Sequence, residues 1–346
     1  MASLKDRLKE RIDLQGPISF ADFMEAALYD PEGGYYARGA SIGEPGDFVT
    51  SPHVTLYFAR AVARAFAADT GGIEGPVDFV EVGAGEGRFL QDFREAIRTD
   101  APQVAARLRL GAVETSAAGR ARLAQFPGVR VMADANPLAP ASIRGWIFSN
   151  ELFDALPVHR VIGGDGGSLE ELCVGCRGNA FLWFRRPAAD WMREHLESFG
   201  ICLEPDQAGE IRPGAAPLYR TLARALAQGR LITVDYGHSA RTLYHPFSRR
   251  GGTLAVHSGG RRGGDPLERP GEVDLTAHVN WDELARAGEE EGLSPARIMR
   301  QGRWLTEAGI LELAQEPREK WRVFRLVDPE GMGDELSVLS QERGSR

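Results

Sequence analysis

The stretch Phe79-Val-Glu-Val-Gly-Ala-Gly-Glu-Gly87 constrains this chain more than any other. An apolar, β-branched run ends in an acid, and three glycines follow at alternate positions. Immediately after it, Phe89, Leu90, Phe93 and Ile97 fall on one stripe at helical spacing. Strand, glycine turn and amphipathic helix open an α/β domain of the nucleotide-binding type. The turn tolerates positive φ and lets the backbone pass close to a ligand at the carboxyl end of the strand.

Glycine spacing separates two cofactors. A dinucleotide fingerprint, G-x-G-x-x-G, asks for glycine or alanine at the position of Arg88, and the third glycine here comes one place early, at Gly87. NAD is therefore the second choice. The order acid-x-G-x-G-x-G resembles motif I of the class I S-adenosylmethionine (SAM) methyltransferases. SAM carries an amino group and a sulfonium but no pyrophosphate, so Glu81 beside the turn is useful rather than repulsive.

Downstream strands support SAM. Leu108 to Glu114 reads as the next strand, and its terminal carboxylate can accept two hydrogen bonds from a ribose diol. The plainer alternative is that Glu114 caps the following helix. Val129 to Asp134 ends in an acid where an adenine amino group would lie. Trp146 to Asn150 is a fourth strand, running into Glu151-Leu-Phe-Asp154, and Gly229 to Asp235 a fifth. Polar or acidic residues thus close successive strands at one sheet edge. Ala296 to Arg300, Trp321 to Val327 and Leu336 to Leu339 read as the last strands.

The fold class expected is α/β, a Rossmann-like methyltransferase sheet with an N-terminal helical extension and an inserted β-rich subdomain. Residues 1–75 form the extension, in which Leu4, Leu8 and Ile12 make a stripe and Ser19 caps a helix from Ala21 to Leu28. The loops Glu32 to Tyr36 and Ile42 to Pro52 are too rich in aromatics for plain linkers. Residues 76–157 and 218–346 make the sheet domain. Residues 158–217 are the insertion, opening with a meander of Val158–Ile162, Leu169–Val174 and Ala180–Phe184. Residues 237–272 read as loop.

Charge and cysteine usage narrow the class. A net charge of −8, from 41 basic and 49 acidic residues without a dense Lys/Arg block, disfavours a general nucleic-acid or anionic-membrane binder. The N-terminus has no apolar signal core and no stretch reads as a membrane span. Three cysteines fit a reducing compartment, so a cytoplasmic location is expected. Cys173-Val-Gly-Cys176 lacks a second pair and lies in a strand-like run, and no metal is expected there.

Several stretches resemble one family. They are Asp30-Pro-Glu-Gly-Gly-Tyr-Tyr36, Gly46-Asp-Phe-Val-Thr-Ser-Pro52, the glycine loop, Asn150-Glu-Leu-Phe-Asp-Ala-Leu-Pro157, Val234-Asp-Tyr-Gly-His238, Asp274-Leu-Thr-Ala-His-Val279 and Asp328-Pro-Glu-Gly-Met-Gly333. Together they resemble the MidA family of class I SAM methyltransferases, in the family's order over roughly residues 18–340. The resemblance implies protein arginine N-methylation, with a protein or peptide substrate carrying an arginine; a homodimer is compatible with it. It implies cofactor contacts at Glu81, Gly83, Gly85, Glu114 and Asn150, to which the strand reading adds Asp134. The loop holding Phe48 and Thr50 would close over the site. The chain departs from the family at His53, Ala59-Arg60, Ala84, Glu86 and residues 251–265, differences that bear on the acceptor rather than on SAM.

An arginine acceptor stays protonated and must be oriented by carboxylates. Glu151 and Asp154, at i and i+3, can face one way and are the first catalytic candidates. Their alternative role is to charge a helix N-terminus. His278 is the third candidate, while His159 and His238 read as structural. Two other functions stay open: a methyltransferase for a small molecule or peptide, and a SAM-binding assembly factor with little turnover.

Overall fold

The computed structural model describes residues 2–37, 51–259 and 261–344, the side chains of Pro52 and His53 excepted. Seven strands form the central sheet: β1 (Val77–Val82), β2 (Leu108–Val113), β3 (Val129–Met132), β4 (Ile143–Asn150), β5 (Leu226–His238), β6 (Arg297–Arg300) and β7 (Leu336–Arg343). Their order is 3-2-1-4-5-7-6, and β7 alone runs opposite to the other strands. Val279–Asn280 pairs with the end of β5 as a further short strand.

All six residues of β1 are buried, as expected for a central parallel strand covered on both faces. Of its two acids, Asp78 and Glu81, the first is fully engaged. It receives the fork of Arg109 at 2.7 and 2.8 Å and the Arg144 N–H at 2.8 Å. Helices Tyr57–Thr70 and Arg88–Asp100 cover one face over a cluster of Phe66, Phe79, Phe89, Phe93, Trp146 and Phe148. The Phe79 and Phe93 rings stack at 3.9 Å, and Phe89 and Phe148 at 4.9 Å. Truncating any one of these phenylalanines to alanine should cost about 3–5 kcal/mol. Helices Ala215–Ala225 and Trp281–Glu290 cover the other face.

The N-terminal helices are Leu4–Gln15, started by a Ser3/Asp6 capping box, and Phe20–Tyr29, started by Ser19 accepting the Asp22 N–H. They pack on an antiparallel sheet of His159–Gly163, Leu169–Arg177, Ala180–Pro187 and Ala208–Ile211. Ile18–Ser19 joins that sheet opposite Val174–Cys173. One core, including Leu8, Phe20, Phe23, Val174, Phe181 and Leu275, joins the extension, the meander and the strand Asp274–Thr276. Cys173 is buried in the inserted sheet, and Cys176 meets Asp13 at 3.1 Å.

Two local expectations are corrected. Trp321–Val327 is not a strand but the end of helix Pro317–Val327. Val323 and Leu326 bury at i and i+3, Pro317 sits in the first turn, and the short apolar run fits either period. Residues 237–272 are not all loop. Ala240–Leu243 is helical, and Ala255–Ser258 and Arg261–Arg262 form a three-stranded sheet with Asp274–Thr276. The glycines around these strands mask their short pairing segments. Ala208–Ile211, in the insertion but beyond the expected meander, adds a further strand by pairing with His159–Ile162.

Candidate active site

The strand order reverses between β1 and β4, and in such sheets ligands bind outside the carboxyl ends of the strands at that point. A cleft of about 550 Å³ opens there, within the size range of small-ligand sites. The ends of β1 through β4 line it, joined by Tyr29 and Tyr36 from the N-terminal extension and Asp274 from the small sheet.

The glycine loop takes the conformation its sequence implies. Gly83 and Gly85 have φ of 78° and 54°. The Gly83 N–H donates to the Val113 carbonyl at 2.9 Å, tying the loop to β2. Gly85 donates to Glu114 Oε2 at 2.8 Å, and Glu114 Oε1 accepts the Ser116 N–H at 2.7 Å. Glu114 therefore braces the start of the next helix and lines the cleft at once, with carboxylate lone pairs left over. A Cβ built on Gly85 would meet no atom within 4 Å, so the loop there faces open space. Asp134 lines the exposed end, its Oδ1 accepting the Asn136 N–H at 2.8 Å.

Three acceptor atoms lining the cleft have no partner among the described residues, one each on Glu81, Asn150 and Glu151. Glu81 is only 5% exposed, yet its Oε2 is unpaired. Burial, and then Glu114, push its carboxyl well above the usual range. Asn150 donates to Glu151 Oε1 at 2.9 Å and leaves its own Oδ1 unpaired. Buried polar atoms without partners are costly in a folded protein. A ligand bringing an ammonium group satisfies both ends of this arrangement. SAM fits: Glu81 and Asn150 for its amino-acid end, the open face of Gly85 for its body, Glu114 for its ribose and Asp134 for its adenine. Phe48 and Thr50, with residues 46–49 of the expected closing loop, lie outside the described residues, as does the His53 side chain.

Glu151 leaves β4 in the left-handed region, φ 51°, with its N–H on the Val234 carbonyl at 2.8 Å. Non-glycine residues rarely adopt this conformation, and those that do concentrate at functional sites. Burial and then Asp154 push the Glu151 carboxyl up to about 8, against the opposing hydrogen bonds of the Asn150 side chain and the Ser51 backbone. Asp154 is raised well above its usual range by burial, then by Asp235 and Asp274.

Two residues hold this turn in place. Asp235, near the carboxyl end of β5, accepts the N–H groups of Phe153 at 2.8 Å and Asp154 at 3.3 Å. Arg212, only 5% exposed, donates to the carbonyls of Leu156, His278, Asp154 and Ala277 at 2.6–3.2 Å. Arg212 went unread in the sequence; its only local signal is one arginine between Ile211 and Pro213.

The histidines stand apart. His278 is not among the residues lining the cleft; its ring lies 5.2 Å from His238 and 6.1 Å from Tyr236. Burial, and then His238 and nearby arginines, depress it to about 3. From the same sequence block, Asp274 and Thr276 reach the cleft instead. His159 pairs with Glu171 at 2.7 Å in the inserted sheet, and His238 lies against Arg249. The departures from the family are absorbed locally. Ala59 is buried in the core, Arg60 pairs with Asp100 at 2.9 Å, and Glu86 pairs with Arg122.

Comparison with known proteins matches this geometry. A family profile of S-adenosyl-L-methionine-dependent methyltransferases matches residues 58–299. A Burkholderia thailandensis crystal structure bound to S-adenosyl-homocysteine (SAH) superposes with a TM-score of 0.87 at 29% identity, covering 99% of this chain and 92% of that one. A second crystal structure from that organism gives 0.85 at 30% identity over the same shares, 99% and 92%. The Drosophila melanogaster protein arginine methyltransferase NDUFAF7 homolog, mitochondrial, is 26% identical across 99% of this chain and 85% of its own length. The Homo sapiens protein arginine methyltransferase NDUFAF7, mitochondrial, is 24% identical across 96% and 82%. A glycine loop braced by Glu114, buried acceptors at Glu81 and Asn150, and a family match over most of the sheet domain lead to one conclusion: the chain belongs to this family of SAM-dependent methyltransferases, and SAM is its cofactor.

Proposed function

We propose that this methyltransferase acts on an arginine nitrogen of a protein or peptide, with Glu151 holding the guanidinium and Asp154 assisting. The observation that carries the reading is the pair itself: two carboxyls lining one cleft, each raised by burial and by neighbouring acids, with Arg212 beside Asp154 offsetting that rise only in part. Among the described residues, the cations that line the cleft, Arg88 and Arg122, belong to the helices beside the glycine loop, and Arg122 is paired with Glu86. Relatives named as protein arginine methyltransferases support the same acceptor.

Bound SAM supplies a methyl group activated by its sulfonium. The residues of this chain supply the rest. Glu81 and Asn150 hold the cofactor's polar end, and Glu114 fixes the glycine loop. A guanidinium entering beside Glu151 favours the ionised carboxylate, reversing the effect of burial. A charge-assisted pair then orients the acceptor nitrogen and stabilises the cation. His278, depressed to about 3, is neutral near pH 7, and we assign it a role outside the cleft lining.

We keep the cytoplasm as the proposed compartment on cysteine usage, since the three cysteines are all free, although the named relatives are mitochondrial. No nucleic-acid or membrane partner is proposed. The charge is −8, and among the described residues no helix is long and apolar enough to cross a membrane. Mass spectrometry of the cognate proteome with and without the gene tests the acceptor: arginine methylation at a discrete site should vanish with the gene. An unchanged set of methylarginines, with a small metabolite losing its methyl group instead, would overturn it.

A further inference from the structure

The Asp30–Tyr36 block is built to deliver a side chain to the cleft. The Asp30 carboxylate accepts the N–H groups of Glu32 at 3.0 Å and Gly33 at 2.8 Å and pairs with Arg7. The chain then folds back on the preceding helix, Tyr35 donating to the Ala27 carbonyl at 2.9 Å and Tyr36 to that of Leu28 at 3.0 Å. A Cβ on Gly34 would lie 2.5 Å from the Asp30 nitrogen, so the fold-back requires glycine. Its product is Tyr36 set beside Tyr29, ring centroids 5.4 Å apart, with both residues lining the cleft.

The two hydroxyls point at the acids and at the turn that carries them. Tyr36 donates to Asp274 Oδ1 at 3.0 Å, and Tyr29 donates to the Ala155 carbonyl, one residue after Asp154, at 3.0 Å. Asp274 is 7% exposed and comes from a strand in a different sheet. Glu151, Asp154 and Asp274, from segments more than 100 residues apart, thus line one cleft with two tyrosines. Arg212, the buried cation next to Asp154, spends its donors on four carbonyls. Glu151 Oε2 is shielded and has no partner among the described residues.

We infer that Asp274, Tyr29 and Tyr36 form, with Glu151 and Asp154, a subsite for an alkylguanidinium, separate from the glycine loop that holds the cofactor. The inference rests on the arginine reading above and adds its specificity determinants. A planar, weakly hydrated cation gains both from carboxylates and from aromatic faces, whereas a neutral isostere gains from neither. Tyr36 acts chiefly as a positioning residue, fixing the rotamer of Asp274 by its hydroxyl.

The test uses SAH-loaded protein and two probes, ethylguanidinium and the neutral ethylurea, with binding followed by saturation-transfer NMR. Ethylguanidinium should bind and ethylurea should not. Asp274→Asn should weaken ethylguanidinium binding at least tenfold, and Tyr36→Phe severalfold, while SAH affinity by calorimetry stays within about twofold of wild type. Tyr36→Phe keeps the ring and its packing, so it reports even if Asp274→Asn folds poorly. Equal binding of the two probes, or wild-type ethylguanidinium affinity in both variants, would overturn the subsite. Those results alongside methylarginine formation would spare the arginine reading. Loss of ethylguanidinium binding in the variants, with methyl transfer found only on another cationic side chain, would support the subsite and overturn the arginine reading.

Discussion

The Glu114 carboxylate accepts the Gly85 N–H at 2.8 Å, and this bond joins the end of β2 to the glycine loop at the end of β1. Its other oxygen accepts the Ser116 N–H at 2.7 Å, so loop, acid and following helix are set as one unit. Replacing Glu114 by glutamine puts an amide NH₂ against one of the two N–H donors and leaves that donor unsatisfied. The expected cost is about 1–3 kcal/mol, read by calorimetry as a loss of SAH affinity of roughly ten- to a hundredfold. Affinity within twofold of wild type would show that the brace is not needed.

Gly83→Val should abolish SAH binding and lower stability. The position has φ 78°, and a Cβ there would lie 2.9 Å from Leu152 Cδ1. A β-branched side chain in the left-handed region costs at least about 1–2 kcal/mol before any clash. Denaturant melts beside calorimetry separate the two losses. Normal SAH binding in Gly83→Val would mean that the loop is not at the cofactor.

Local signals made the β1–glycine loop–helix unit and the Glu151–Asp154 turn legible, because each is a short run whose chemistry lies in adjacent residues. Glu114, Asp134 and Asn150 were legible as the closing residues of strands at one edge. What escaped is long-range. Tyr36 and Asp274 lie 238 positions apart, and Arg212 meets carbonyls 56 to 66 positions away. His278 was favoured over Asp274 within one block because a histidine advertises chemistry. Only the placement of the small sheet shows that the aspartate reaches the cleft.

Glu151 sets a pH signature. Its carboxyl is raised from 4.5 to about 8 in the folded protein, so between those values the folded state binds more protons than the unfolded. That stabilisation is full below the lower value and is lost as pH rises through the upper one. The depressed imidazoles of His238, His257 and His278 act oppositely, but only below their ordinary value of 6.5. Melting temperatures of ligand-free protein from about pH 6.5 to 8 should therefore fall, and less steeply in Glu151→Gln. Identical slopes would show that Glu151 is not protonated in the cleft. For the acceptor, kcat/KM should rise over the same window as Glu151 ionises.

Arg212→Ala should destabilise the protein by about 3–5 kcal/mol, since it strands buried carbonyls and removes the charge between Asp154 and Asp235. Urea unfolding measures the loss, and a change under about 1 kcal/mol would contradict the clamp.

Methyl transfer by the purified enzyme tests the central claim most directly. Wild type and Glu151→Gln are incubated with methyl-labelled SAM and an extract lacking the endogenous enzyme, and the labelled protein is hydrolysed to amino acids. Wild type should label methylarginine in a discrete protein. Glu151→Gln should bind SAM within a few-fold of wild type yet transfer about a hundredfold more slowly, about 3 kcal/mol of transition-state stabilisation. Label found on carboxylates, hydroxyls or a small metabolite, or undiminished transfer in Glu151→Gln, would contradict the account.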